Sequence, residues 1–353
     1  LVGAPQQDRD VDSDGTPEPD VGAAYVFTLS SGSWTQQSML TSSDPAGSSN
    51  FGSDVSVDDQ TAVIGESLKE RNIDGNPGNE FDVGLAYVFI EASSGSWTLQ
   101  TTLTPPSPGE YDNFGGAVSI DGDRVAVGVP GDQRDVDGDG SDETSVGVVS
   151  LFSRSSGSWS FETNLSASNA DSNDSFGSDV ALDGDTLVAG APFQWRDVDG
   201  DGSDEFYVGA AYAYAVTGGS WTEQAILTAP GARASENYGR SVDVSGDFIL
   251  VGVENRTHDA DGDGSDETTA GAVFAYMRSS GSWSRHTKLS AFDGDSGDEF
   301  GSGVALAGDT AVVGARNADR DLDGDGSDEN TVGAAYTFRR DDDSDFDGII
   351  DTW

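Results

Sequence analysis

The chain has 353 residues, of which 64 are Asp or Glu and 17 are Lys or Arg, and its formal net charge at pH 7 is −47. A surface of this charge repels nucleic acid phosphates and anionic lipid headgroups, which argues against both as partners. No apolar segment approaches the ~18 residues of a membrane span, so direct membrane insertion is not expected. Hydrophobic residues make up 35% of the chain and fall in short regular runs, which predicts a folded, β-rich protein.

Two residue patterns recur along the chain with the same period of about 62 residues. One is a Phe-Gly or Tyr-Gly pair, and the other is a Trp that follows a Gly-Ser pair. The pairs begin at Phe51, Phe114, Phe176, Tyr238 and Phe300, and the tryptophans are Trp34, Trp97, Trp159, Trp221 and Trp283. Two independent markers with one period indicate a tandem repeat.

Each repeat predicts four short strands, A to D. Strand A starts at the Phe-Gly pair, as in Phe51–Val57, and alternates apolar residues with a period of two. Strand B is a continuous apolar run such as Thr186–Pro192, strand C is the Gly-Ala-Ala-Tyr type of Gly209–Tyr214, and strand D carries the Trp, as in Trp97–Leu103. Four strands per repeat of this length predict an all-β fold, a β-propeller with four-stranded antiparallel blades.

The repeats start and end at particular strands. The first begins within strand B at Leu1 and the sixth ends after strand C at Phe338, which predicts 22 strands (five A, six B, six C and five D) in a propeller over residues 1–340. Because propellers often close with a strand from the other terminus, we expect sequence to be missing before Leu1. The Phe-Gly and Trp residues are expected to pack between blades rather than to form a ligand cage.

An acidic loop joins strands B and C in each repeat. Its pattern has oxygen ligands at positions 1, 3 and 5, Gly at position 6, a backbone carbonyl at position 7 and a carboxylate at position 9, which suits Ca²⁺. The four strict copies are Asp135, Asp137, Asp139, Ser141 and Glu143; Asp197, Asp199, Asp201, Ser203 and Glu205; Asp259, Asp261, Asp263, Ser265 and Glu267; and Asp321, Asp323, Asp325, Ser327 and Glu329. The looser copies are Asp10, Asp12, Asp14 and Glu18 in the first repeat, and Asn72, Asp74, Asn76 and Glu80 in the second.

The donor set argues for calcium over other metals. The chain has no Cys and two His, so the soft ligands that suit zinc or copper are scarce. An EF-hand would need a carboxylate at position 12, where Val146 stands in the third repeat, and flanking helices. The loops are therefore predicted to be EF-like calcium loops placed between strands, and a solvated acidic turn is the alternative.

A basic residue precedes each acidic loop: Arg9, Arg71, Arg134, Arg196, His258 and Arg320. We expect it to pair with neighbouring carboxylates and to relieve their mutual repulsion. A ring of basic residues that binds an anion is the alternative, although the surrounding field is negative.

The Phe-Gly pairs, together with Gly-Ala-Pro at Gly3–Pro5 and Gly190–Pro192, resemble the FG-GAP repeats of integrin α-subunit-like propellers over essentially residues 1–340. The resemblance implies a β-propeller whose parent has seven blades, although the sequence is also compatible with six. In the integrin-like propellers the calcium loops usually lie between strands A and B, whereas here they lie between B and C. Integrin function is therefore not carried over residue by residue.

The C-terminal tail, residues 341–353, differs in composition from the repeats. It contains Asp343, Asp345, Asp347 and Asp351 in a pattern that resembles a thrombospondin type 3 or dockerin-type calcium repeat. We expect it to begin an acidic, calcium-stiffened linker.

Three functions remain open. Alternating strand direction puts the B–C and D–A connections on one face, where long loops such as Pro106–Asn113 and Asn169–Ser175 favour docking of a protein or carbohydrate ligand. The favoured function is a calcium-binding binding or adhesion module of a larger secreted or surface protein, bacterial by expectation. An extracellular location suits the affinities of roughly 10⁻⁴–10⁻³ M that extracellular calcium modules show.

The alternatives are a catalytic propeller, such as a polysaccharide lyase or hydrolase, and a purely structural spacer. Catalysis needs an asymmetric constellation of polar residues, and the near-identical repeats offer little beyond His258 and His286. The sequence therefore favours a protein that is not an enzyme.

Overall fold

The computed structural model describes residues 1–73, 80–92, 95–260, 262, 264–319 and 331–340. It contains two compact units, Leu1–Val180 and Ala181–Trp353. In the described residues the secondary structure is entirely β-strand and turn. The predicted boundary between propeller and tail stays a prediction, because residues 341–353 lie outside the described part of the chain.

The first compact unit holds three antiparallel sheets, each built from strands that follow one another in the chain. Their strands are β1 (Val2–Ala4), β2 (Ala23–Ser30) and β3 (Ser33–Leu40); β4 (Phe51–Asp58), β5 (Thr61–Glu66), β6 (Leu85–Glu91) and β7 (Trp97–Leu103); and β8 (Val118–Asp121), β9 (Arg124–Val129), β10 (Val148–Ser155) and β11 (Ser158–Leu165).

The second compact unit repeats this organisation, except that β12 begins at the last residue of the first unit. Its strands are β12 (Val180–Asp183), β13 (Thr186–Ala191), β14 (Ala210–Thr217) and β15 (Ser220–Leu227); β16 (Val242–Ser245), β17 (Phe248–Val253), β18 (Ala272–Ser279) and β19 (Ser282–Leu289); and β20 (Phe300–Ala307), β21 (Thr310–Ala315) and β22 (Ala334–Arg339).

These six sheets are the blades of a β-propeller, as the repeats predicted. Four blades have strands in the order A, B, C, D, the first blade has B, C and D, and the sixth has A, B and C. The described chain therefore contains the 22 strands that the sequence predicts. The strand B runs are the most deeply buried, and all six residues of β5, β13 and β17 are buried.

The Phe-Gly pair joins each blade to the one before it. The five Phe and Tyr rings at this position are fully buried. Their backbone lies so close to a glycine of the preceding strand C that a side chain would not fit: a Cβ added to Gly84, at φ +81°, would lie 2.1 Å from the carbonyl oxygen of Phe114. The predicted role of the Phe-Gly residues in packing between blades is confirmed.

The Trp residues pack less deeply than the sequence analysis expected. Trp159 is partly buried, and its Nε1 donates a 3.0 Å hydrogen bond to Oε1 of Gln100 in the preceding blade. The guanidinium of Arg154 lies 5.0 Å from the centre of the same ring. Trp34 is 68% exposed, so the prediction that it packs between blades is wrong for this residue. Within the first compact unit no sheet precedes its own, and the ring has no neighbouring strand to cover it.

Side chains of strand A bond to the backbone of the next strand A. In the first unit Asp54 Oδ2 accepts from the amide of Val118 at 2.6 Å, and Asp58 Oδ2 accepts from Gly122 at 2.8 Å. Burial raises the pKa of Asp54 to about 6. These bonds satisfy backbone donors along an edge strand that would otherwise be open to pairing.

Candidate metal-binding loops

The acidic loops connect strands B and C, and each of the first five is closed at its base by a pair of backbone hydrogen bonds. In the third repeat the amide of Arg134 donates to the carbonyl of Glu143 at 3.2 Å, and the amide of Glu143 donates back at 2.9 Å. The same reciprocal pair joins the basic residue and position 9 in the other described loops: Arg9 with Glu18, Arg71 with Glu80, Arg196 with Glu205 and His258 with Glu267. This closure brings the first and last ligand positions together.

Within the third loop, backbone amides orient the carboxylates. Asp135 accepts from Gly138 and Gly140 at 2.6 and 2.9 Å, because both glycines adopt positive φ and turn the chain around it. Asp139 accepts from Ser141 at 2.8 Å, and Glu143 accepts from Val136 at 2.7 Å. Asp137 accepts from the amide of Asp139 at 2.9 Å. These bonds hold four negatively charged side chains toward one point.

The arrangement fits a hard divalent cation. Asp135, Asp137, Asp139 and Glu143 each offer a ligand atom, and these atoms lie within 4.8 Å of one another. Oxygens that bind a calcium ion at about 2.4 Å can be at most about 4.8 Å apart, so the cluster has the size of a calcium coordination shell. All of the potential ligand atoms are carboxylate oxygens, which also suit a hard cation such as calcium.

The other loops repeat this geometry to different extents. Ligand atoms also meet within 4.8 Å at Asp10, Asp12, Asp14 and Glu18, and at Asp197, Asp199 and Asp201. In the fourth loop Glu205 accepts from the amide of Val198 at 2.8 Å, and the amide of Ser203 donates to Asp201. Carboxylates of the predicted ligand set therefore converge in the first, third and fourth loops, without Glu205 in the fourth, and their role as metal ligands stays a prediction.

The second and fifth loops are described in part. Glu80 accepts from the amide of Ile73 at 2.8 Å, while Asn72 and Ser265 are exposed. In the fifth loop Asp259 accepts from Gly262 and Gly264, and Glu267 accepts from Ala260 at 2.7 Å, which matches the third loop. The predicted ligands outside the described residues are Asp74, Asn76, Asp261, Asp263, Asp321, Asp323, Asp325, Ser327, Glu329, Asp343, Asp345, Asp347 and Asp351.

The basic residues that precede the loops do not share one role. Arg134 forms the expected ion pair, with Nε 2.7 Å from Oδ1 of Asp132. The buried Nη1 atoms of Arg9 and Arg71 have no hydrogen-bond partner. Burial lowers the pKa of His258 to about 4, so its ring is neutral at pH 7. The prediction of carboxylate pairing is wrong for His258, because its environment disfavours the charged form.

The residues after each loop are bonded to the D–A connection that leads into the next blade. In the second repeat the carbonyls of Phe81, Asp82 and Val83 accept from the amides of Tyr111, Asn113 and Phe114 at 2.8 to 3.2 Å. Corresponding bonds occur in the second compact unit, where Phe206 accepts from Ser235. In these repeats the acidic loop is thus attached to the D–A connection that follows it, and the two connections lie side by side.

A buried polar cluster in the second blade was missed by the sequence analysis. Glu66 is 0% exposed, and its Oε2 accepts from Tyr87 Oη at 2.5 Å and from Ser42 Oγ at 3.3 Å. Its Oε1 has no hydrogen-bond partner, and burial raises its pKa. The repeat register could have revealed it, since the corresponding residues are Ala4, Val129, Ala191, Val253 and Ala315.

Comparison with known protein families identifies the repeat. The model of the FG-GAP repeat matches residues 34–89, 97–146, 159–214, 221–276 and 283–338. These matches cover most of the chain, which therefore belongs to the FG-GAP repeat family, as the Phe-Gly pairs suggested. A search of curated proteins found no match. Among the described residues there is no helix with the length and apolar character to span a bilayer.

Proposed function

We propose that this chain is a calcium-binding extracellular module that recognises a protein or carbohydrate ligand through its B–C and D–A loops. The observation that carries the proposal is the convergence of four carboxylates within 4.8 Å in the first and third loops. Membership of the FG-GAP family supports it, since these repeats often bind calcium and typically occur in extracellular proteins, commonly as binding or adhesion modules.

The chain's own residues provide what the ion needs. In the third loop Asp135, Asp137, Asp139 and Glu143 would hold calcium, which would supply positive charge to neutralise their repulsion. The backbone bonds between Arg134 and Glu143 already close the loop around this point. Because the loop is bonded to the next blade, calcium would also stiffen the joint that leads into the recognition loops.

Thermal unfolding tests the calcium proposal. The full chain is melted with a chelator and with increasing calcium up to several millimolar, at matched ionic strength and with magnesium as the control. Calcium that binds only the folded state should raise the Tm with concentration, following the logarithm of free calcium over Kd. A Tm that does not respond to calcium, or that responds equally to magnesium, contradicts the proposal.

The proposed role is binding rather than catalysis or passive spacing. A screen for turnover of acidic polysaccharides separates binding from catalysis, and reproducible turnover would overturn this part of the proposal. Immobilised calcium-loaded chain presented with protein and glycan libraries separates a binding module from a spacer. A spacer would retain no ligand whose binding is lost with the chelator.

A further inference from the structure

Four aromatic side chains surround the base of the fourth acidic loop and are named here the aromatic cluster: Phe193, Trp195, Phe206 and Tyr207. The ring of Tyr207 is central, with its centroid 5.5 Å from Phe193, 5.8 Å from Phe206 and 6.4 Å from Trp195. Trp195 is 55% exposed, Phe206 49% and Tyr207 42%. Three large rings thus present apolar surface to solvent at one place, which is typical of interaction sites.

The aromatic cluster is specific to the fourth repeat. The position of Trp195 is taken by Asp8, Glu70, Gln133, Thr257 and Asp319 in the other repeats. The positions of Phe206 and Tyr207 are Thr-Ser in the third repeat and Thr-Thr in the fifth. The second repeat has Phe81 at the position of Phe206, but Asp82 and Glu70 at the positions of Tyr207 and Trp195. The propeller fold therefore does not require these rings, because blades with polar residues there have the same strands.

Tyr207 also occupies an unfavourable backbone conformation. Its φ is +54°, in the left-handed region, where the corresponding residues are the smaller Asp20, Asp82, Ser145, Thr269 and Thr331. A bulky aromatic residue is strained in this region. A residue that is exposed, strained and not needed for the fold points to a binding role.

The charge around the aromatic cluster indicates what it binds. Between Arg196 and Phe206 the loop carries Asp197, Asp199, Asp201, Asp204 and Glu205, so one bound calcium ion would leave the loop negative. The whole chain has a net charge of −47. Exposed Trp and Tyr faces attract cations, most often Arg, through their ring electrons. A cationic ligand uses the rings and the carboxylates together, whereas a neutral sugar would leave the charge unused.

We propose that the aromatic cluster and the adjoining carboxylates form the docking site for a basic segment of a protein partner. Arg or Lys side chains of that segment stack on Trp195 and Tyr207, and their remaining charge faces the acidic loop. The inference deepens the proposed function, since it rests on the chain being a binding module and names the chemistry of its partner.

The test uses the calcium-loaded full chain and a fluorescent peptide in which arginines alternate with glycines. Anisotropy is measured at about 150 mM salt, where weak long-range attraction is largely screened. The variants Trp195→Gln and Phe206→Thr/Tyr207→Ser take their residues from the third repeat, which preserves the fold. Trp34→Ala, which removes an exposed Trp elsewhere, is the matched control. We expect each cluster variant to weaken binding by about tenfold, and the control to leave it unchanged.

A second peptide removes any dependence on the variants. Citrulline in place of arginine keeps the shape and removes the charge, and it should reduce binding to the wild-type chain by about tenfold or more. The inference is overturned if the arginine peptide does not bind, if citrulline binds equally, or if the cluster variants bind like the wild type. If neutral oligosaccharides bind the wild type but not the cluster variants, the inference is also overturned, because the aromatic cluster would then bind a glycan. A calcium-dependent Tm in any of these cases would leave the proposed calcium function intact.

Discussion

At the scale of single residues, the joints between blades depend on glycines that no other residue can replace. Gly147 adopts φ +83°, and a Cβ placed there would lie 2.2 Å from the carbonyl oxygen of Phe176. Gly157 has a similar φ of +80°, but a Cβ there would meet nothing within 4 Å. Alanine substitutions at the two glycines therefore distinguish the loss of stability caused by a steric clash from the loss caused by a left-handed backbone conformation.

We expect Gly147→Ala to destabilise the chain by about 3 kcal/mol or more, because the backbone of Phe176 must move. Gly157→Ala should cost about 1 kcal/mol, the penalty for an L residue in the left-handed region. Denaturant unfolding in calcium measures both. Equal losses for the two variants would show that the tight contact between blades is not what requires glycine.

A buried carboxyl group in the D–A connection makes the stability of the fold depend on pH. Asp112 is 3% exposed and accepts a 2.6 Å hydrogen bond from the amide of Gly109. Burial, more than the nearby charge of Asp132, raises the pKa of Asp112 from its ordinary value of 3.8 to about 6. The folded state therefore binds this proton more tightly than the unfolded state, and the contribution of Asp112 to stability falls as pH rises from about 4 to 6.

Asp112→Asn removes this ionisation while it keeps an oxygen acceptor for Gly109. We expect the variant to match the wild type below about pH 4 and to be more stable by about 1–2 kcal/mol above pH 6. The measurement is the free energy of unfolding of both proteins as a function of pH. A difference that shrinks as pH rises would contradict the raised pKa.

At the scale of elements, the acidic loops combine ligands that point inward with acidic residues that do not. In the third loop Glu143 contributes to the carboxylate cluster, whereas the neighbouring Asp142 is exposed and outside it. Glu143→Gln and Asp142→Asn therefore remove the same charge from the same loop. The first variant changes the proposed calcium shell and the second does not.

Hydrogen exchange of the third loop distinguishes the two variants. In the wild type and in Asp142→Asn, calcium should slow exchange of the amides of Gly138 and Gly140, which face Asp135. In Glu143→Gln the protection should be lost in this loop and retained at residues 197–205 of the fourth loop. Equal protection in the two variants would mean that Glu143 does not bind the ion.

The strands and the spacing of the loop ligands could be predicted because both are local. Alternation and apolar runs mark the strands, and the order Asp135, Asp137, Asp139, Glu143 places the carboxylates on one tight turn. The environment of His258 and the buried partners of Glu66 could not be predicted in this way. They depend on residues that only the packed strands and connections bring close, so their burial and charge state require the structure.

The aromatic cluster lies between these cases. The sequence shows that the cluster residues differ from those at most corresponding positions of the other repeats. Their contact with one another depends on how the loop closes between Arg196 and Glu205. The same comparison of repeats would have identified Glu66. Residues that differ in type from their counterparts in the other repeats therefore indicate where the repeats differ in structure.

At the scale of the whole molecule, the net charge of −47 works against folding, because like charges are closer in the compact state than in the unfolded chain. We expect the Tm of the chelated chain to rise as monovalent salt increases from about 10 mM to 1 M, over which the screening length falls to about 3 Å. Sodium chloride and tetramethylammonium chloride should act alike if screening is the cause. A Tm that falls with salt would contradict this account.

Under the proposed function, calcium and monovalent salt would both weaken the repulsion between carboxylates, but calcium would bind at the acidic loops whereas salt would form a diffuse ion atmosphere. The four strict loops, which begin at Asp135, Asp197, Asp259 and Asp321, have the same ligand pattern. As proposed calcium sites with only oxygen donors, they should all select an ion of the same size and charge. Bound calcium should therefore persist at salt concentrations that displace loosely held ions.

Equilibrium dialysis of the chain against radioactive calcium, at about 1 mM free ion and about 150 mM potassium chloride, counts these ions directly. We expect at least four bound calcium ions per chain, one for each strict loop. Magnesium in equal concentration should leave most of them in place. No retained calcium, or calcium that magnesium displaces completely, would contradict the claim that the B–C loops are calcium sites.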